Sequence, residues 1–388
     1  MDFRTTPEQD AIRDAVRSLC TRFPDEYWRD LDRRAAYPDA FVKALTDAGW
    51  LAALIPTEYG GAGLGVTEAS LILEEINASG GNAASAHAQM YTMGTLLRHG
   101  SDAQKRMYLP KIAKGELRLQ AFGITEPEAG SETTRIRTTA VKKRDRYIVS
   151  GKKIFISRTL QSDLLLLLAR TTPYESLEDK TQGLSVFLVD LKAAVAAKKI
   201  TIRPIETMLN HHTTELFIDG LELEKSALVG NEGMGFRHII DSWNAERILI
   251  ASESLGDGRW FIERASRYAG ERVVFGRPIG ANQGVQFPLA QAHAHVLAAR
   301  LVRDKAAWLF DRGEPCGPEA NMAKLLASQA AWAAGNAAMD TYGGYAFAKE
   351  FDVERKFRET RLFLTAPVNN NLVLAYIAEH VLGLPKSY

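Results

Sequence analysis

Nothing in this sequence supplies a covalent scaffold or a metal centre. Only two of its 388 residues are cysteine, Cys20 and Cys316. Two cysteines make neither a disulfide framework nor a thiolate cluster, so a reducing compartment, and a cytoplasmic protein, is expected. The histidines are scattered. The one adjacent pair, His211-His212, would point apart in a strand, so no metal site is expected. An excess of one charge is also missing: 48 Lys and Arg stand against 47 Asp and Glu, a formal net charge of +1. The basic runs Lys142-Lys143-Arg144 and Lys152-Lys153 are short. That excludes an electrostatic footprint for nucleic acid or for an anionic membrane surface. Apolar runs such as Leu164 to Ala169 fall far short of the ~20 residues that span a bilayer. Met1-Asp2-Phe3-Arg4 leads into no apolar stretch, so no signal peptide is expected. Internal repeats and low-complexity stretches are absent as well.

What is present is an ordinary globular composition, 46% hydrophobic and 24% charged, in a chain long for a single core. The hydrophobic period changes twice. Residues 1–117 read as helices. Thr6-Pro7-Glu8-Gln9 forms an N-cap and capping box, residues 41–48 are amphipathic, Thr67 caps a helix to about 76, and two more follow at 84–98 and 102–114. Residues 118–230 carry short β-rich runs at 118–124, 136–142, 147–150, 153–157, 163–169, 184–190, 200–204 and 213–219. Ser150-Gly151 and Asp219-Gly220 punctuate them as turns. Residues 231–388 return to the helical period, in segments near 233–270, 281–312, 318–341, 350–362 and 367–383. The expected architecture is α+β: an N-terminal helical domain, a middle antiparallel β-barrel-like domain and a C-terminal four-helix bundle.

One turn stands out. Ile124-Thr125-Glu126-Pro127-Glu128-Ala129-Gly130-Ser131-Glu132 follows a strand, then breaks at Pro127 and Gly130 with hydroxyls on either side. Such a loop offers N–H and hydroxyl groups to a ligand rich in acceptors.

With this loop, three further patches resemble the acyl-CoA dehydrogenase family, over essentially the whole chain. Pro56-Thr57-Glu58-Tyr59-Gly60-Gly61 is similar to its PxxxGG loop, and Thr125-Glu126-Pro127 with Ala129-Gly130-Ser131 to its TEPxAGS signature. Glu271-Arg272-Val273-Val274-Phe275-Gly276-Arg277-Pro278-Ile279 with Gln283 resembles ERxxFGxPI…Q. Tyr342-Gly343-Gly344 through Val353-Glu354-Arg355 and Arg358-Glu359 resembles GG…VER…RD. The resemblance implies FAD. Ile124 and Thr125 would bond the flavin pyrimidine edge, Phe122 would lie near it, and Ser131 would sit near the pyrophosphate. Phe155 would pack on the ring, and Ser157 would lie by N5. Arg272, Phe275, Gln283 and Gly344 would reach the FAD of a neighbouring subunit, which implies a homotetramer built as a dimer of dimers. An electron-transfer flavoprotein is the implied reoxidant.

The reaction implied is α,β-dehydrogenation of an acyl-CoA thioester, in which a carboxylate removes the α-proton and flavin N5 takes the β-hydride. The base must lie in a dry pocket with its pKa near working pH. The family's usual Glu position falls on Pro367 here, which has neither the acid nor an N–H. Isovaleryl- and long-chain-type members place the Glu on an earlier helix beside an Arg, and this chain has Glu246-Arg247 there. Ile239, Trp243, Glu246 and Ile250 recur at steps of four, three and four, so Glu246 lies in line with an apolar stripe. It is the expected base, with Arg247 orienting it. The competing reading is a buried Glu paired with an Arg from another helix. Glu253 and Glu263 are assigned to other faces. The helix around residues 84–97 and the face bearing Trp243 are expected to line the acyl pocket. Pro367 leaves open a second chemistry on this scaffold, a flavin-dependent monooxygenase or another non-dehydrogenase member.

Overall fold

A computed structural model describes residues 4–387. Met1, Asp2 and Phe3, on which the expectation about a signal peptide partly rests, lie outside the described residues. The first helices are α1 (Pro7–Cys20), α2 (Asp25–Arg34), α3 (Asp39–Asp47), α4 (Val66–Ala78), α5 (Ala84–His99) and α6 (Asp102–Ala113). The capping box at Thr6 forms as expected: the Gln9 N–H donates to the Thr6 hydroxyl at 3.2 Å and the Thr6 N–H to Gln9 Oε1 at 3.1 Å. Helix α2 escapes the periodicity because only Trp28 and Leu31 are buried along it. Thr67 is not the cap of α4. Gly65 holds that position, and the Asp311 carboxylate takes the N–H groups of Val66 (2.7 Å) and Thr67 (2.9 Å) from across the molecule.

The β-rich middle is one sheet. Its strands are β1 (Ala121–Gly123), β2 (Thr139–Lys143), β3 (Arg146–Ser157), β4 (Leu164–Arg170), β5 (Leu184–Asp190), β6 (Ile200–Pro204), β7 (Thr213–Glu224) and β8 (Leu228–Val229), with α7 (Leu191–Ala196) between β5 and β6. The order is β6-β7-β3-β2-β4-β5-β8, with β1 beside β4. Most pairs are antiparallel, but β1 runs parallel to β4, and β2 meets β4 parallel at Thr139 and Arg170. The expected turns at Ser150-Gly151 and Asp219-Gly220 are irregularities inside two long paired strands. The register of β3 on β7 shifts between Val149 and Gly151, Gly220 takes φ +56°, and its N–H donates to the Ser150 hydroxyl. The glycines mark a bulge, which looks the same as a turn in a one-dimensional pattern.

The last third holds α8 (Gly235–Glu271), the short hairpin β9 (Val273–Val274) and β10 (Arg277–Pro278), then α9 (Gln283–Asp311), α10 (Gly317–Tyr342), α11 (Val353–Arg361) and α12 (Asn370–Tyr376). Helices α8, α9 and α10 pack on one another and α11 closes against α8 and α10, while α4 and α5 from the first third pack on α8. Gly256 permits that approach: a Cβ there would lie 2.4 Å from the Glu74 carbonyl oxygen. No helix among the described residues is long and apolar enough to cross a membrane.

One buried carboxylate ties four helices together. Glu74 on α4 is fully buried and receives Arg303 (2.7 Å) and Arg300 (2.5 Å) from α9, Arg259 (2.9 Å) from α8, and Arg13 (3.8 Å) from α1. Burial opposes its ionisation, and the surrounding arginines outweigh that, holding its carboxyl well below the usual range. Arg303 is itself fully buried. Glu74→Ala would leave that cation with only Asp304, half exposed, as a counter-charge. It is expected to cost about 3–5 kcal/mol of stability, read as a lowered midpoint in denaturant unfolding.

Candidate active site

The loop after β1 is set from beneath. Lys153 on β3 is fully buried and donates to the Ile124 carbonyl (2.9 Å) and to Glu126 (2.9 Å). Glu126 also accepts the N–H groups of Arg137 (2.5 Å) and Thr138 (2.9 Å). Burial lowers the Lys153 pKa to about 8. Burial alone would raise that of Glu126, but Lys153 and the Arg137 N–H hold it below the carboxylate norm. The turn closes through reciprocal N–H···O bonds of Glu126 and Ala129, both 3.1 Å. The Glu of the motif is thus structural: it holds the loop rather than facing a ligand.

What the loop presents is open. Thr125 is half-buried, its carbonyl takes the Ile154 N–H (2.9 Å), and its hydroxyl has no partner among the described residues. The Ser157 hydroxyl is equally free. Between them the β3 register shifts again, Phe155 adopts φ +57°, and its ring is 61% exposed. A bulky residue in the left-handed region is strained, and here the strain turns an aromatic face outward beside two free hydroxyls. Phe122 is buried, its ring 6.2 Å from that of Tyr91. Ser131 is exposed, and its hydroxyl accepts Asn369 Nδ2 (3.1 Å), which links the loop to the start of α12.

Helices α5 and α8 run antiparallel behind this surface. Thr95 meets Ser242 at 3.3 Å, and further along His87 meets Glu253. Met93, Leu96, Phe122 and Ile239, with Tyr91 and Trp243 partly buried, share one apolar cluster. Glu246 lies beside this cluster, 7% exposed. No group donates to its carboxylate and no cation pairs with it among the described residues. The buried-pair alternative therefore has no partner. Burial pushes its pKa up to about 7, against the opposing pull of His87 and Arg247. Arg247 turns aside, bonding Asn244 (3.2 Å) with its guanidinium over the Trp243 ring.

Glu253 corrects the helical-wheel reading. It is buried between the same two helices, with its Oε1 2.5 Å from His87 Nδ1. Seven residues are two turns less about 20°, so Glu253 falls on the Glu246 side. The spacing alone could have found it. Arg158, Tyr91 and His87 carried no motif and were missed.

Arg272, Phe275, Gln283 and Gly344 are not brought to this place. Helix α8 is 37 residues long. With Glu246 near its start and Arg272 just past its end, roughly 35–40 Å of helix separates them. They gather at the other end of the helices and are exposed: Arg272 lies over the Tyr345 ring at 5.7 Å, and Phe275 is wholly exposed at φ +52°.

Comparison with known proteins decides the family. The descriptions "Acyl-CoA dehydrogenase, N-terminal domain", "middle domain" and "C-terminal domain" match residues 6–116, 121–221 and 233–382 in that order. The chain belongs to the acyl-CoA dehydrogenase family. It is 36% identical to acyl-CoA dehydrogenase fadE12 of Mycobacterium bovis, over 100% of this chain and 99% of that one. A solved glutaryl-coenzyme A dehydrogenase in complex with glutaryl-CoA superposes with a TM-score of 0.91 at 30% identity, covering 100% of this chain and 98% of that one. A structure described as the electron transferring flavoprotein of Acidaminococcus fermentans gives 0.91 at 28%, covering 98% and 100%. The family's cofactor is FAD. The exposed Phe155 face between the unpartnered Thr125 and Ser157 hydroxyls fits an aromatic ring with polar edges.

Two predictions follow from these environments. In Lys153→Met, Glu126 keeps its charge but loses its buried cation. Denaturant unfolding should show a loss of about 3 kcal/mol, and flavin titration a weaker Kd for FAD. For Glu246, the folded carboxyl holds its proton to about pH 7, whereas the unfolded one releases it near 4.5. Stability is therefore lost as pH rises between these values, by on the order of 3 kcal/mol. Glu246→Gln should stabilise the apoprotein at pH 8, with the gain shrinking toward pH 5, as followed by denaturant midpoints.

Proposed function

We propose that Glu246 is the general base of this acyl-CoA dehydrogenase. The reaction is FAD-dependent α,β-dehydrogenation of an acyl-CoA thioester. The observation that carries the assignment is a buried, unpaired carboxylate at the groove of α5 and α8, with a pKa near 7. In the dry groove Glu246 takes the proton from the substrate α-carbon. FAD, when bound, supplies the acceptor for the hydride that leaves the β-carbon. Arg247 keeps a cation near the base without bonding it, and so helps ionise it at neutral pH. Phe155 gives the ring a platform, Thr125 and Ser157 offer hydroxyls to its polar edge with the Ile124 backbone, Phe122 walls the groove, and Ser131 receives the pyrophosphate.

Arg272, Phe275, Gln283 and Gly344 serve the cofactor of a neighbouring copy. Their exposure and their separation from Glu246 along α8 support this, and with it a homotetramer built as a dimer of dimers. The chain divides into domains at 1–117, 118–230 and 231–388. It works in the cytoplasm, and an electron-transfer flavoprotein takes its electrons. The monooxygenase alternative raised by Pro367 is not favoured, because an acid is available on α8 and the relatives named above include dehydrogenases.

Anaerobic mixing with acyl-CoAs should bleach the flavin. The bleaching rate should rise with pH through about 7 and level off above it, because only the ionised carboxylate accepts the proton. Glu246→Gln should bind FAD and lose at least about a hundredfold in that rate, with no remaining pH step. Wild-type bleaching by this variant would remove Glu246 from the role.

A further inference from the structure

Beyond Glu246 the interface of α5 and α8 changes character. Two helical turns along α8, about 10 Å, its walls become polar. His87 and Glu253 face each other across the two helices. Glu253 Oε1 lies against His87 Nδ1 at ion-pair distance without hydrogen-bond geometry, while His87 Nε2 is buried with no hydrogen-bond partner. Ser85 Oγ and Gln89 Oε1 on the same helix are also buried and unpartnered. Arg158, from the turn after β3, is 6% exposed, and its charge is felt by Tyr91 and Glu253. No carboxylate lies within ion-pair distance of Arg158 among the described residues, and its side-chain partner is His211 Nδ1 at 3.3 Å. Burial, with the Arg158 charge beside it, pushes the His211 pKa well below its ordinary value. His211 therefore accepts a hydrogen bond without neutralising the cation. The other buried arginines are served: Arg303 and Arg355 by carboxylates in contact, and Arg170, equally buried, by the carbonyls of Ile136, Thr172 and Thr134.

A hydrocarbon tail entering this end would leave a buried cation with no carboxylate in contact, only the more distant charge of Glu253, and a buried imidazole nitrogen with no partner. We propose, on the reading that Glu246 abstracts the α-proton, that the preferred acyl chain ends in a carboxylate. That carboxylate docks on Arg158, with His87 Nε2 as a second donor held in place by Glu253. The substrate class is then the CoA monothioester of a dicarboxylic acid. The competing account is hydration: a cavity of about 30 Å³ lined by Arg158, Tyr37, Ser85 and His212, with the carboxylates of Asp32 and Glu359 also on its wall, has room for a water or two, and water there would serve Arg158 without any tail.

The test is anaerobic flavin bleaching with the FAD-loaded protein. Monothioesters of straight-chain dicarboxylic acids of graded length are compared with plain acyl-CoAs of equal length. At one length the dicarboxylic thioester should exceed its plain counterpart in kcat/KM by about tenfold or more, chiefly through KM. Arg158→Gln should abolish that ratio and Arg158→Lys should retain part of it. If Arg158→Gln does not hold flavin, the same ratio is read in His87→Gln. Plain chains reduced equally well or better in the wild type would overturn the carboxylate site and leave the dehydrogenase reading standing. Failure of every thioester to bleach the flavin would overturn that reading, and this inference with it.

Discussion

A carboxylate taken out of water must be paired, protonated or put to use, and helix α8 presents three of them. Asp257 is surrounded by Lys356, Asn77 and Thr360. Burial still raises its pKa to about 6, with Lys356 pulling the other way. Glu253 has His87. Glu246 has neither a hydrogen bond nor an ion pair among the described residues. The same carboxylate group on one helix thus carries three different energetics, set by what the neighbouring helices offer. The structure around α8 is largely a means of enforcing this. Glu74 with its arginines clamps α1, α4 and α9 to α8, and Lys356 ties α11 to it. A rigid α8 is what lets a carboxylate stay desolvated instead of swinging toward a cation.

Much of the fold was legible because period and capping are local. The capping box at Thr6, the long C-terminal helices and strands such as β5 and β6 all come from residues close in sequence. Apart from α2, which buries too few residues to show a period, the failures have one cause, a partner distant in the chain. Thr67 looked like a cap because Asp311, which serves as one, lies on another helix. Gly151 and Gly220 looked like turns because only the pairing of β3 with β7 shows that the strands run on through them.

The site divides in the same way. The turn at 124–132 and the burial of Glu246 were legible, the first from turn chemistry and motif, the second from helical spacing against an apolar stripe. The role of Glu126 was not. Its environment is made by Lys153 and by the N–H groups of Arg137 and Thr138, which no local pattern announces. Arg158 was invisible for another reason. A lone arginine after a strand is ordinary in sequence and becomes unusual only when it is seen to be buried with a single imidazole as its side-chain partner.

The antiparallel register of α5 on α8 acts as a graduated scale. Its rungs, from Thr95 with Ser242 to His87 with Glu253, are separate side chains fixed to rigid rods. If the acyl chain lies along these helices as proposed, exchanging the innermost rung would leave Glu246 untouched, and moving a polar group one turn toward Glu246 would shorten the chain that fits by about 5 Å. Selectivity in such a groove can therefore drift one rung at a time during evolution, without rebuilding the catalyst.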